Sequence, residues 1–160
     1  TLHADNLGAC GFTRGVSLEN CHVPVTLETL KWALGAEANS NTYCIDCRDC
    51  HISAQGCSFI GYVSTDGGKA GSGVNTYPNT SVVLGECSFH DLDKTVHTYL
   101  GGHIEIYGEN PTTDYSGNQT GVYTYLGGLV MLGDTVPATL GAPANYKNSG
   151  GAIIQAGKLI

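Results

Sequence analysis

Apolar and polar residues alternate in short runs along most of the chain, and glycine, asparagine, aspartate and serine separate these runs. A period of two is typical of β-strands, because successive side chains point to opposite faces of a sheet. The predicted strands are too short to bury their apolar side chains singly. We therefore expect a short strand unit that is repeated and stacked on itself to form a common core.

The C-terminal half contains the clearest repeat. Residues 96–106 (VHTYLGGHIEI) recur as residues 122–132 (VYTYLGGLVML), with six identical positions and an offset of 26 (122 − 96). The Gly-Gly-x-apolar part returns in residues 150–154 (GGAII). Repeats of about 20–50 residues are typical of solenoids and propellers, and these units are too short to supply the four strands of a propeller blade.

A related unit recurs in the N-terminal half, as residues 16–23 (VSLENCHV), 45–52 (IDCRDCHI) and 82–89 (VVLGECSF). Shorter echoes are residues 10–12 (CGF) and 57–59 (CSF). The alignment predicts that one residue of each coil lies in the same row of one parallel sheet: Val16, Ile45, Val82, Ile104, Val130 and Ile153. The sequence therefore predicts an all-β, right-handed parallel β-helix of about six to seven coils, as a single domain over residues 1–160.

Two segments depart from the repeat and are predicted to be inserted loops, at about residues 27–43 and 61–80. The first contains residues 28–34 (ETLKWAL), for which we predict one or two helical turns that end at Gly35. The second is rich in glycine, serine, threonine and asparagine. Loops on a rigid solenoid are the usual place for function.

The seven cysteines cannot all pair within one chain, because their number is odd. Residues 47–51 (CRDCH) match the pattern of covalent haem attachment, and the same region could supply four zinc ligands. The repeat instead aligns these cysteines with core positions, where a thiol packs as a small apolar group. We expect one core ladder and no metal or other cofactor. The ladder consists of Cys10, Cys21, Cys50, Cys57 and Cys87.

The formal charge of −7, with only seven Lys and Arg, disfavours nucleic acid as a partner, because phosphates need basic side chains. No apolar run is long enough to span a membrane.

Candidate functional residues lie mainly in or beside the two predicted loops. Trp32, Tyr43, Tyr62 and Tyr77 are aromatic rings suited to the apolar faces of sugars, and His90 lies in a polar cluster beside them. Acid–base catalysis on a glycan needs two carboxyl groups about 5–10 Å apart. The candidates for such a pair are Asp66, Asp91 and Asp93.

The units in residues 16–23, 45–59 and 81–89 resemble the repeats of the pectate-lyase-like superfamily, and the tail from residue 127 resembles the closing coils of phage tailspike and appendage proteins. The resemblance implies a homotrimer that recognises, and in some members cleaves, bacterial surface polysaccharide. It also implies a place in the virion tail, at an extracellular surface, after folding in the bacterial cytoplasm. No counterpart of that superfamily's calcium-binding aspartates or catalytic Arg or Lys is found.

Two other interpretations stay open, a purely structural or assembly module of a virion or surface fibre, and a glycan hydrolase or lyase. The coil at a solenoid's end needs a cover over its unpaired backbone groups. The chain finishes with apolar residues at Ile153, Ile154, Leu159 and Ile160. We therefore expect an oligomer or a C-terminal fragment of a longer chain.

Overall fold

The chain forms a parallel β-solenoid of about five turns, which confirms the predicted fold class. The computed structural model describes residues 2–5, 8–12, 15–36, 38–39, 41–108 and 113–160, with side chains from residue 15 onward except that of Asn148. The described residues form β-strands and no helix. No helix among them could therefore cross a membrane.

Each turn passes through three strand layers, which we call faces A, B and C, and then rises to the next turn. Two long strands, β3 (Val16–Glu28) and β5 (Tyr43–Gln55), bend around a corner, so that their first halves lie in face A and their second halves in face B. This bend joins faces A and B into one 12-stranded sheet.

Face A continues from the first half of β5 through four further strands in parallel register. They are β9 (Ser72–Thr76), β12 (Lys94–Tyr99), β15 (Thr120–Tyr125) and β17 (Tyr146–Asn148). Face B contains the second halves of β3 and β5 together with strands from the other turns. They are β1 (Leu2–Asp5), β10 (Ser81–Gly85), β13 (His103–Tyr107), β16 (Leu129–Leu132) and β18 (Ala152–Gln155).

Face C is a separate five-stranded parallel sheet. Its strands are β2 (Gly8–Phe12), β4 (Lys31–Leu34), β6 (Ser58–Ile60), β11 (Ser88–His90) and β14 (Tyr115–Ser116). Two antiparallel strand pairs are added to the parallel sheets of the solenoid. β7 (Tyr62–Val63) pairs with β8 (Lys69–Ala70) as a hairpin, and β19 (Lys158–Leu159) folds back on β18.

The core consists of inward side chains that lie on their counterparts in the next turn. In face B the buried row contains Val25, Ile52, Val82, Ile104, Val130 and Ile153. In face C it is a stack of rings, in which the Trp32–Phe59 and Phe59–Phe89 centroids are 5.1 and 5.0 Å apart. Burial of these rows is the main source of stability, because each strand alone exposes its apolar side.

The predicted single row was wrong, because it mixed two faces. Val16 pairs with Ile45, and Ile45 pairs with Val74, in face A, whereas Val82 pairs with Ile52 in face B. Each turn carries two apolar-x-apolar runs that read alike in sequence. The predicted row places Val82 one coil after Ile45, a step of 37 residues (82 − 45). The structure pairs Val82 with Ile52 instead, a step of 30 (82 − 52), and the coil count falls from six or seven to about five.

The cysteine ladder is likewise two shorter ladders. Cys50 lies opposite Cys21, while Cys57 and Cys87 directly precede the paired residues Ser58 and Ser88 in face C. Both pairs are free thiols, as are Cys44 and Cys47, and burial raises the pKa of the Cys44 and Cys47 thiols. The backbone of Cys10 lies in face C opposite Ala33, and its side chain lies outside the described part of the chain.

The inserted segments are shorter than the sequence predicted. No helical turn forms at residues 28–34, where β3 ends and β4 follows with a buried–exposed alternation. Residues 72–76 form β9, and all five are buried. Of the two predicted inserts, the described residues outside the repeat are therefore 35–36, 38–39 and 41–42 in the first and 61–71 in the second, which holds the β7–β8 hairpin.

The Gly-Gly repeat makes the corner between faces A and B. Gly127 has φ of +80°, a region open to glycine, and an added Cβ there would meet no atom within 4 Å. Gly128 has a different role, because its Cβ would lie 2.1 Å from Thr98 Oγ1 in the turn before. The same contact joins Gly102 to Thr76 and Gly151 to Thr124. The second glycine therefore lets the chain pass over a buried threonine.

We predict that Gly128→Ala lowers the free energy of unfolding by about 1–3 kcal/mol through overpacking, and that Thr98→Ala restores part of the loss. Gly127→Ala is the control, with a smaller loss of about 1 kcal/mol from the left-handed φ alone. Denaturant unfolding of the four proteins measures these effects. Equal losses for the two glycine variants would contradict the proposed contact.

Candidate functional site

The outward side chains of face A form a continuous strip of rings, which we call the aromatic ladder. Its members are Tyr43, Tyr77, His97, Tyr99, Tyr123, Tyr125 and Tyr146. Parallel strands in register place equivalent outward residues one above the next, about 4.8 Å apart. His97 therefore lies beside Tyr123, which lies beside Tyr146, and Tyr99 lies beside Tyr125.

The rings contact each other along the whole ladder. Tyr99 and Tyr125 stack at 5.3 Å with an interplanar angle of 3°, and Tyr123 and Tyr146 stack at 4.5 Å. Tyr77 meets Tyr99 edge-on at 5.9 Å. Stacked rings cover each other's faces, so the ladder presents ring edges and phenol groups to the outside.

Three shallow depressions follow one another along this face. The first, of about 260 Å³, is lined by Gly15, Val16, Ser17, Asn41, Tyr43, Asp46 and Tyr77. The second, of about 310 Å³, is lined by Asn41, Tyr43, Lys94, His97, Tyr99, Tyr123 and Tyr125. The third, of about 510 Å³, lies beyond Tyr77 and Tyr99 toward Leu100 and Pro78. Shared walls at Tyr43, Tyr77 and Tyr99 make the three a connected path.

Polar groups border the rings. Asn75 donates a hydrogen bond from Nδ2 to Asp46 Oδ1 at 2.6 Å, and the Arg48 guanidinium lies 4.5 Å from the centre of the Tyr77 ring. Burial raises the pKa of Tyr43 to about 12, with Tyr77 and Asp46 adding to the effect, so its hydroxyl keeps its proton at neutral pH. Asp46, Arg48 and Tyr43 can donate to or accept from a hydroxyl-rich ligand, whereas Asn75 is fully buried and holds Asp46 in place.

His97 lies at the centre of the ladder. Its ring meets Tyr123 at 4.8 Å and 87°, and it lies 6.4 Å from both Tyr43 and Tyr99. Burial and, to a smaller extent, the nearby Lys94 ammonium together lower its pKa to about 4. The imidazole is therefore neutral at neutral pH and acts as a further ring of the stack.

A second polar group of residues, which we call the His90 cluster, lies at the edge of face C. It consists of Lys69, His90, Asp91, Asp114 and Ser116. His90 Nε2 lies 2.9 Å from Asp91 Oδ2, and His90 Nδ1 lies 2.8 Å from Ser116 Oγ and 3.3 Å from Asp114 Oδ2. Lys69 in the hairpin forms an ion pair with Asp91 Oδ1.

The predicted aromatic residues fall in different places. Tyr43 and Tyr77 belong to the aromatic ladder, and Tyr62 lies half-buried in the hairpin strand β7. Trp32 is only 4 % exposed and its ring stacks on Phe59 in the core, which leaves it no free face for a ligand. The expectation that Trp32 lies on a protruding loop was wrong, because its segment forms the inward-facing strand β4.

The three candidate carboxylates have separate partners. Asp91 pairs with Lys69, whereas Asp93 pairs with Lys94 at 2.8 Å. Asp66 lies in the hairpin turn, where a hydrogen bond from the Ser64 hydroxyl holds its pKa below the ordinary value. The predicted ligand residue His90 contacts Asp91 of this set.

Sequence reasoning missed five members of the aromatic ladder: His97, Tyr99, Tyr123, Tyr125 and Tyr146. The signal was present in the 26-residue repeat, which places Tyr99 over Tyr125 and His97 over Tyr123 in any in-register solenoid. The binding residues predicted from the sequence lie instead in or beside the inserted segments. Among the described residues, no group of three or more His, Cys, Asp or Glu is arranged to hold a metal ion.

No protein-family model, no curated protein and no solved structure matches the chain. The resemblance to the pectate-lyase-like superfamily and to phage tailspikes therefore stays a prediction based on the repeat motifs.

We predict that His97 makes the protein less stable as the pH falls from about 6.5 toward 4. The unfolded imidazole, with a pKa near 6.5, binds a proton in this range while the folded one, with a pKa of about 4, does not. Unfolding then takes up as much as one extra proton, so stability rises with pH across this window. His97→Gln should flatten that part of the profile.

Chemical unfolding at several pH values between 4 and 7 measures the effect. Tyr146→Phe, a change in the same ladder that leaves the imidazole in place, should keep the slope of the parent protein. If His97→Gln and the parent show the same slope, the burial of His97 is contradicted.

Proposed function

We propose that the chain binds an extended polysaccharide along the aromatic ladder, and that the ligand is a bacterial surface glycan. The observation that carries this proposal is the series of ring contacts along face A from Tyr43 in β5 to Tyr146 in β17, to which β9 contributes no ring of its own. Four strand spacings of ~4.8 Å give a strip about 19 Å long. Such a strip suits several units of a chain-like ligand.

The shape of the surface supports a chain rather than a small molecule. Sites for small molecules are usually concave and enclose most of the ligand. Here three open depressions share Tyr43, Tyr77 and Tyr99 as walls, so one ligand can run through all of them. A polysaccharide has repeated units that can occupy such a row.

The chemistry of the surface supports a hydroxyl-rich ligand. The side chains of Asp46 and Lys94 lie beside the phenol groups in two of the depressions and offer an acceptor and a donor between apolar ring edges. Rings held by their neighbours lose little conformational entropy when a ligand binds. The formal charge of −7 favours a neutral glycan over a polyanionic one.

The test begins with the full chain on an array of bacterial surface polysaccharides, followed by calorimetry with the glycan that binds. Tyr125→Ala and Tyr99→Ala should each weaken binding by about tenfold or more, because each removes a ring and breaks the stack. Tyr107→Ala is the matched control, since Tyr107 is 43 % exposed but lies in face B. Its affinity should equal that of the parent.

Two results would contradict the proposal: no glycan bound at all, or an equal loss of affinity for Tyr107→Ala and Tyr125→Ala. Longer oligosaccharides should also bind more tightly than short ones until the strip is filled. A monosaccharide that binds as well as the polymer would contradict the extended site.

A second candidate function, an assembly module, is favoured by two exposed leucines beside the ladder. Leu100 and Leu126 are 45 % and 36 % exposed and have φ of +51° and +50°, which is a strained region for leucine. An apolar side chain held there suits a protein partner, and a second copy of the chain is one option. Leu126→Asn, at a residue that lines none of the three depressions, should then lower the mass in solution without changing glycan affinity.

A further inference from the structure

The His90 cluster contains a hydroxyl, an imidazole and a carboxylate in series. Ser116 Oγ lies 2.8 Å from one ring nitrogen of His90, and Asp91 Oδ2 lies 2.9 Å from the other. A serine becomes a nucleophile when an adjacent base takes its proton and a third group orients that base. Both distances are those of ordinary hydrogen bonds.

The carboxylate is fixed by groups outside the series. Asp91 has φ of +55°, and its Oδ1 forms an ion pair with Lys69 from the hairpin. Gly117 faces it, and a Cβ at Gly117 would lie 2.3 Å from Asp91 Oδ1. The glycine therefore leaves the space in which this carboxylate sits.

The serine is fixed by the turn that follows it. Asn118 is 4 % exposed, and its Nδ2 donates to Phe89 O and Leu140 O, each at 2.9 Å. Its Oδ1 accepts from Leu92 N at 3.1 Å. These bonds tie the segment of Ser116 to the strand of His90. Ser116 itself is exposed and open to a substrate.

We propose that Ser116, His90 and Asp91 form a nucleophilic site that hydrolyses small acyl esters. This inference goes beyond the proposed glycan binding and does not depend on it. In the active tautomer, His90 donates Nε2–H to Asp91 and accepts the Ser116 proton at Nδ1. The roles match the serine–histidine–aspartate arrangement, with the two ring nitrogens exchanged.

The reaction balances with water as the second substrate. Ser116 Oγ attacks the ester carbonyl and its proton moves to His90 Nδ1. The tetrahedral intermediate collapses, the C–O bond to the alcohol breaks, and the alcohol leaves with that proton. Water then attacks the acyl-serine and gives a proton to Nδ1, and the carboxylic acid leaves as Ser116 Oγ recovers its proton.

Asp114 limits this site, because its Oδ2 lies 3.3 Å from the same Nδ1. The Asp114 carboxylate competes with the Ser116 hydroxyl for this nitrogen, and His90 can take the serine proton only when Nδ1 accepts from Ser116. Asp114 is 52 % exposed, whereas Asp91 is 22 % exposed and held by Lys69. Asp91 is therefore the orienting carboxylate, and removal of the Asp114 charge should raise the rate.

The experiment measures hydrolysis of p-nitrophenyl acetate by the full chain, together with labelling by a fluorophosphonate, which loses fluoride as it bonds to an activated serine. We expect Ser116→Ala and His90→Gln each to lower the rate by about tenfold or more. Asp114→Asn should keep or raise the rate. The label should be found on Ser116 by peptide mass spectrometry.

Exposed imidazoles can hydrolyse this ester without a serine, so matched controls come from face B. His51→Gln and Ser53→Ala change exposed residues outside the cluster and should retain the rate of the parent. The proposal is overturned if the parent has no activity, if Ser116→Ala retains it, or if the label is no richer on Ser116 than on Ser53. It is also overturned if Asp114→Asn abolishes the activity as fully as Ser116→Ala.

Discussion

Parallel hydrogen bonding in strict register between consecutive turns is the constraint on which the rest of the molecule depends. Apart from register shifts in the β3–β5 and β2–β4 pairs, it places the residues of faces A, B and C directly on their counterparts one turn earlier. The buried aliphatic row of face B and the ring stack of face C follow from this placement, because like side chains meet like side chains. A strand of a few residues is not stable when it is isolated, because it then has no neighbouring strand with which to bury its apolar side chains.

The same constraint governs the surface. Side chains that point outward have their position fixed by the turns on either side, so seven rings become a stack without any inserted structure to hold them. At the corner between faces A and B, the same register requires backbone conformations with positive φ. Asn20 and Asp49 take positive φ there at little cost, whereas Leu100 and Leu126 take it under strain that the neighbouring turns must hold.

The sequence was sufficient for the fold class, because alternation and a repeat at fixed spacing require no knowledge of long-range contacts. It was not sufficient for the register. The runs at Ile45 and Ile52 both look like the start of a coil, and only the three-dimensional pairing assigns them to different faces. Trp32 was misplaced for a different reason. A large ring in an irregular stretch of sequence suggested a surface loop, although the Trp32 ring belongs to the core stack with Phe59 and Phe89. The His90 cluster joins residues from a hairpin and two turns, which no local pattern reveals.

The repeated units at residues 96–106 and 122–132 give the aromatic ladder an evolutionary property that an enclosed pocket does not have. Duplication of one such unit would add another tier of rings without disturbing those already present, because each tier contacts only its immediate neighbours. Loss of a unit would shorten the strip in the same stepwise way. The length of the aromatic ladder can therefore change by recombination between repeats, whereas a point substitution changes the contacts of a single tier.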